Sequence, residues 1–378
     1  MNSVSMEMPL SDIIKNKILE QGPISFHDFM EMALYYPGLG YYTSSPDKIG
    51  KQGDYYTSPY FTNVFGNVIA RQLEEMWRLT SKQDFTIVEY GAGMGSLCVD
   101  ILQQLKHSKE FYKKLKYCII EKSETMRQKE KKIIDSDLIN EKISWYDTID
   151  EIPSFTGCVL ANEVLDNFSV HKVIMKQNEL KEIFVGYDHG FFEMLKPAQD
   201  DLKEYFTALG IELPNDFCAE VNLEAIEWLK NISSTLEKGF VLTIDYGYPS
   251  SELYQSYHRL GTIVCYNKHT VNDLPYSNIG QQDITAHVNF SALNFWGAKN
   301  GLINCGFTNQ SQFLLGLGLT EHLRKLEEKE NNSFEVRKNL MLLHTLLMSM
   351  GKKFKVLIQQ KGLNNPLLSG LQFCQPLI

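Results

Sequence analysis

The 378-residue chain has little with which to cross-link itself. Its seven cysteines stand at 98, 118, 158, 218, 265, 305 and 374 with no C-x-x-C pair. That spacing argues against a thiolate zinc site or a disulfide framework and for a reducing compartment. No apolar run is long enough to cross a bilayer, so membrane insertion is not expected. No arginine precedes Arg71 and no charged-then-apolar pattern opens the chain. Neither a secretory nor a transit peptide is therefore legible, and cytoplasm is the expected compartment. Basic residues number 37 against 46 acidic ones, for a net charge of −9, and no basic stripe is present. That balance argues against nucleic acid as the main partner and suits a cationic substrate or a basic protein tail. Repeats and low-complexity tracts are missing too. What remains, 43% hydrophobic and 22% charged, is the composition of a globular protein with a sizeable core.

Strands and helices alternate along most of the chain. Pro9–Glu20 carries leucines and isoleucines on one side, and Ser25 with Asp28 forms a capping box for a second helix to about Ala33. Aromatic and glycine-rich loops follow at 35–42 and 50–59, then a helical stripe from Phe61 through Val64, Phe65, Val68, Ile69, Leu73, Met76 and Trp77. Strands are expected at Phe85–Val88, Lys116–Ile120, Gly157–Ala161, Gly239–Gly247 and Phe354–Ile358. Alternation at 170–175 and 183–187 predicts antiparallel strands, 250–290 reads as loop-rich, and helices are expected near 290–300, 320–329 and 333–348. The fold class is α/β: a Rossmann-like, doubly wound sheet with helices on both faces. Four stretches are expected: an N-terminal helical and loop segment over 1–80, a cofactor-binding half over 81–165, inserted antiparallel strands on the substrate side over 166–220, and the rest of the core with substrate-side loops over 221–378.

The most informative stretch runs from Ile87 to Ser96. Glycines at 91, 93 and 95 break a buried strand into a tight turn, and Leu97, Ile101, Leu102 and Leu105 then open a helix. Glycine lets the backbone turn sharply and lets a ligand approach it closely. The dinucleotide fingerprint needs its last glycine at 96, where Ser96 stands. The pattern E-x-G-x-G-x-G, led by Glu89, resembles instead the first motif of class I S-adenosyl-L-methionine (SAM) methyltransferases. Ligands of such sheets sit at the carboxyl ends of the strands, and Glu89, Glu121, Asn162, Glu163 and Asp245 all fall there.

Each candidate also has a plainer reading. Glu121 can accept both ribose hydroxyl protons, or be an ordinary strand-end carboxylate. Gly53, Asp54, Thr57 and Ser58 can close over the cofactor with Asp54 facing its ammonium group, or form an Asx turn. Asn162, Glu163 and Asp166 crowd one strand end. Methyl transfer is an in-line displacement in which alignment does most of the work. Two carboxylates there can grip a guanidinium, although acids and amides also cap loops. Asp283 and His287 share a loop, Asp283 as a substrate ligand and His287 as a proton acceptor, while a lone histidine is more often structural. The Asn-Pro-Pro-aromatic motif of adenine methyltransferases is absent, which counts against DNA bases.

Together several segments resemble the MidA-like SAM methyltransferases. They include Tyr36-Pro37 through Gly40-Tyr41-Tyr42, Gly53-Asp54 through Thr57-Ser58-Pro59, Glu89 to Gly95, Ala161 to Asp166 with Val170-His171, Ile244 to Gly247, Gln282 to Phe290, and Phe354 to Leu357. The resemblance covers almost the whole chain. It implies SAM as cofactor, protein arginine methylation, a protein partner with an accessible arginine, and cofactor roles for the Gly53-Asp54 turn and the glycine cradle. Mitochondrial members are complex I assembly factors that methylate a complex I subunit, so a respiratory-complex subunit is a candidate partner, and a homodimer is a further expectation. The chain departs from the family at Asn167-Phe168-Ser169, where a small residue and Pro are usual, and Phe168 is expected to reshape the acceptor pocket and so to alter the substrate. The missing targeting segment implies a bacterial or cytoplasmic member. Two rival readings remain: a small-molecule SAM methyltransferase, and a non-catalytic SAM-binding assembly protein.

Overall fold

Near-continuous runs of Val, Ile, Leu and Phe make strands that bury both faces, and these build a parallel sheet. In the computed structural model that sheet runs, in spatial order, Ile303–Asn309, Phe354–Lys361, Leu236–Tyr248, Phe155–Asn162, Phe85–Tyr90, Leu115–Ile120 and Ile143–Tyr146. From Leu236–Tyr248 to Ile143–Tyr146 the pairs are parallel, while Phe354–Lys361 is antiparallel to both of its neighbours. The chain leaves Phe85–Tyr90 toward one edge and returns to its other side as Phe155–Asn162. That reversal is the switch point where open α/β sheets bind ligands. The structure describes residues 8–44, 63–268, 270–321 and 351–377, with 324, 341, 347 and 348.

The sheet belongs to the larger of two units, made of Tyr56–Asp166, Ala225–Ser250 and Val288–Ile378. Helix Asn63–Leu79 buries the stripe read from the sequence, from Val64 to Trp77, and Trp77 stacks on Phe111 with ring centroids 4.8 Å apart. Helix Ser96–Leu105 buries Leu97, Cys98, Ile101, Leu102 and Leu105 in the same core.

The smaller unit comprises Met1–Tyr55, Asn167–Glu224 and Ser251–His287. The four stretches expected from the sequence do not coincide with the two units, because 1–80 and 221–378 each contribute to both. An antiparallel sheet sets Ile24–Ser25, Glu179–Tyr187, His171–Lys176 and Cys218–Val221 in order, with Phe191–Pro197 also on Glu179–Tyr187. Helices Leu10–Gln21 and Phe26–Tyr35 belong to this unit, and Leu10, Ile14, Phe26, Phe29 and Met30 share its core with Val185, Cys265 and Ile284. The Ser25 cap forms as read, Asp28 donating its N–H to Ser25 Oγ at 3.0 Å. The stretch read as loop holds a three-stranded sheet, Val264–Asn267 with Thr270–Asn272 and Asp283–Thr285. The helices expected near 320–329 and 333–348 lie largely outside the described residues.

Candidate functional site

The glycine turn is demanded by backbone geometry. Gly91, Gly93 and Gly95 take φ of +59°, +59° and +77°, the left-handed region that a Cβ disfavours. Two of the turn's amides are satisfied internally: Gly91 donates to Ile120 O at 3.1 Å and Gly95 to Ala92 O at 2.8 Å. A Cβ on Gly91 would come within 3.2 Å of Val164 Cγ2, and one on Gly95 within 3.0 Å of Ile134 Cδ1. Gly95 is also the N-cap of Ser96–Leu105, so the turn ends where a helix N-terminus begins.

Glu89 is only 2% exposed and accepts a hydrogen bond from Tyr117 Oη at 2.8 Å. Burial pushes its carboxyl up to about 7, against the Tyr117 bond that lowers it. Its side chain therefore sits in the core that carries the turn. Glu121 lies at the end of Leu115–Ile120, where its Oε1 accepts the Ser123 N–H at 2.7 Å and burial raises its pKa. Ser123 caps the next helix by accepting the Met126 N–H at 3.3 Å. Sequence reading missed Glu130 on that helix. Its Oε2 accepts from Trp145 Nε1 at 2.6 Å, and its buried Oε1 has no hydrogen-bond partner. Burial pushes Glu130 up to about 8, opposed by the Trp145 bond and helped by the Glu121 and Glu89 carboxylates. Its one legible signal is helical spacing, four residues from Met126 and four from Ile134.

Across the switch point a second turn follows Phe155–Asn162. Glu163 takes φ +57°, unusual for a residue with a side chain. Asn162 Nδ2 donates to Glu163 Oε1 at 3.3 Å, while its buried Oδ1 has no hydrogen-bond partner. Asp166 is buried. Asp245, at the end of the neighbouring strand, accepts through Oδ2 the N–H groups of Val164 at 3.1 Å and Leu165 at 2.8 Å. Burial raises Asp245 to about 6, and backbone N–H groups oppose the rise.

The larger unit thus gathers Glu89, Gly91, Gly93, Gly95, Glu121, Asn162, Glu163 and Asp166 at the carboxyl ends of adjacent parallel strands. Asp283 and His287 belong to the smaller unit. There Asp283 is buried, and its Oδ1 accepts from Tyr42 Oη and Asn167 Nδ2, both at 3.0 Å. Tyr35 Oη donates to Asn167 O at 3.0 Å, and the Tyr35 and Tyr42 rings stack 5.6 Å apart. Asn167, the departure from the family pattern, is thus bound to the acid read as a substrate ligand. His287 donates its backbone N–H to Thr262 Oγ1 at 3.0 Å. Gly53, Asp54, Thr57 and Ser58 lie outside the described residues. Among the described residues no helix is long and apolar enough to cross a membrane.

A left-handed turn built of three glycines, a strand-end carboxylate at Glu121 and an unused acceptor at Asn162 Oδ1 fit a ligand rich in hydroxyl and ammonium donors. Comparison with known proteins agrees. A family model described as "Putative S-adenosyl-L-methionine-dependent methyltransferase" matches residues 68–308. The human protein arginine methyltransferase NDUFAF7, mitochondrial, is 26% identical over 92% of this chain and 83% of its own length. The Drosophila melanogaster homolog is 25% identical over 93% and 85%. A crystal structure from Burkholderia thailandensis, bound to S-adenosyl-homocysteine (SAH), superposes with a TM-score of 0.88 at 27% identity, covering 97% of this chain and 95% of its own. The expectation of a cytoplasmic protein is corrected by these curated relatives, which are mitochondrial.

Proposed function

The chain belongs to this family of SAM-dependent methyltransferases, and on that premise we propose that it methylates an arginine side chain of a protein. The full-length relatives named protein arginine methyltransferases support the acceptor. When bound, SAM supplies an electrophilic methyl group on a sulfonium. Gly91, Gly93 and Gly95 would let it lie against bare backbone, Glu121 would take its ribose hydroxyls, and Asn162 Oδ1 would take a donor of its amino-acid end. Glu89 acts from inside the core, through the shape of the turn. Gly53 and Asp54 keep the cofactor role that the resemblance implies, and Thr57 and Ser58 the closing role read from the sequence pattern.

Glu163 and Asp166 would hold the acceptor. A guanidinium keeps its proton at any physiological pH, so its nitrogen has no lone pair to offer. Paired carboxylates align it through charge-assisted hydrogen bonds and favour departure of the proton as the methyl arrives. Asp283 and His287, on the smaller unit, are proposed separately, as a substrate ligand and a proton acceptor. The observation that carries the reading is the acid-bearing turn at 162–166 lying against the glycine turn, Val164 Cγ2 being 3.2 Å from the place of a Gly91 Cβ. The test is incubation with isotopically labelled SAM and cell lysate, with respiratory-complex subunits as the first purified acceptors, followed by mass spectrometry. Methylarginine in protein is expected. Label confined to small molecules, or SAM bound without release of SAH, would overturn it.

A further inference from the structure

Asp245 has no part in the chemistry proposed above, yet it is fully buried and surrounded by main-chain donors. Its Oδ2 takes the N–H groups of Val164 and Leu165, and its Oδ1 takes that of Tyr246 at 2.7 Å. Glu163 N–H is held in the same way by Ile244 O at 2.9 Å. Buried backbone amides must find acceptors, and the irregular turn at 163–165 supplies none of its own in a regular ladder. Glu163 also sits in a left-handed conformation that persists only where the surroundings over-determine it. A carboxylate so placed fixes a loop. The loop it fixes carries Val164, whose Cγ2 lies 3.2 Å from where a Cβ on Gly91 would stand.

The geometry points to Asp245 as a positioning residue for the SAM site: by pinning the backbone of Val164 and Leu165, it sets the Val164 side chain as the wall on which the Gly91 turn rests. It acts through Val164 and meets neither the cofactor nor the reacting atoms. Among the described residues, chain order and strand pairing place Glu163 and Asp166 on the turn it holds, Tyr246 beside it in sequence, and Lys355 opposite it across the strand pair, whose Nζ donates to Lys352 O at 3.0 Å. This inference rests on cofactor binding and stands apart from the choice of acceptor.

The test is calorimetric titration of the full chain with SAH for the wild type, Asp245→Asn, Val164→Ala and the double variant. Asparagine keeps the shape but turns one oxygen into a donor that faces N–H groups. Asp245→Asn is expected to weaken SAH about tenfold, Val164→Ala by a similar factor, and the double variant no further, because coupled residues are not additive. Hydrogen exchange separates the two steps: the 163–166 amides lose protection in Asp245→Asn and keep it in Val164→Ala. Affinity within twofold of wild type in either variant, or losses that multiply in the double variant, would overturn the proposal. If Asp245→Asn does not fold, Asp245→Glu takes its place in both measurements, and Val164→Ala binding SAH like the wild type still overturns the proposal. A wild type that fails to bind SAH would count against the cofactor itself.

Discussion

Replacing Glu130 by Gln removes one ionisation and almost nothing else. The amide is nearly isosteric, its oxygen can still accept from Trp145 Nε1, and its NH₂ takes the place of the unpartnered Oε1. In the folded chain the carboxyl stands at about 8, against an ordinary 4.5. A group whose folded value is raised contributes stability in full below 4.5, where both states are protonated. That contribution fades as pH rises, because the unfolded chain ionises first, and it is gone above 8. At about 1.4 kcal/mol for each unit, the displacement sets a ceiling on the order of 4–5 kcal/mol. Relaxation and water penetration at a buried site reduce this to about 2–4 kcal/mol. Glu130→Gln is therefore expected to match the wild type near pH 5 and to melt higher near pH 9, by about 5–10 °C for a unit of this size. Melting curves of both proteins from pH 5 to 9 measure it, and the difference between them removes the parallel titrations of Glu89 and Asp245. A melting gap that is constant with pH, or a variant less stable than wild type above pH 8, would refute the reasoning.

Gly95→Ala places a Cβ 3.0 Å from Ile134 at φ +77°; it should cost about 1–2 kcal/mol of stability from the backbone alone and weaken SAH in titration. Glu163→Gln and Asp166→Asn should leave SAH affinity within about threefold while cutting methylation of a protein acceptor by about a hundredfold, as expected for groups that act on the acceptor; equal loss of both readouts would move these residues to the cofactor side. His27 bonds Asp28 at 3.3 Å and Glu224 at 2.9 Å, and those bonds, Asp28's first, raise it to about 9. The stability it adds is full below 6.5 and lost as pH rises through 9, so His27→Gln should be destabilised at pH 6 and equal to wild type at pH 10 in denaturant melts.

What the sequence disclosed about the site it disclosed through local rules. The three glycines are legible because each stands where the backbone must go left-handed, and Ser25 because a cap sits at a fixed offset from the helix it opens. The parallel strands are legible because each is a continuous apolar run. Ile143–Tyr146, Ile303–Asn309 and the three strands of 264–285 escaped, since pieces this short or this exposed hold too little pattern. Partnerships across the chain escaped for a different reason. Asp245 reaches the 164–165 backbone across 80 residues or more, and Asn167 reaches Asp283 across 116. No periodicity encodes such a pairing. Glu130 was hidden inside a run of lysines and glutamates that has the composition of a solvated face.

The antiparallel strand Phe354–Lys361 sits inside the sheet, between Ile303–Asn309 and Leu236–Tyr248. During synthesis every other strand of that sheet leaves the ribosome before it. Until it arrives, Ile303–Asn309 has no partner among the described strands, and one flank of Leu236–Tyr248 is a bare edge open to pairing with another nascent chain. A premature stop between Asn309 and Phe354 thus costs the sheet two strands instead of one, the missing strand and the Ile303–Asn309 strand it would have paired, and chaperone dependence should concentrate in that late interval of translation.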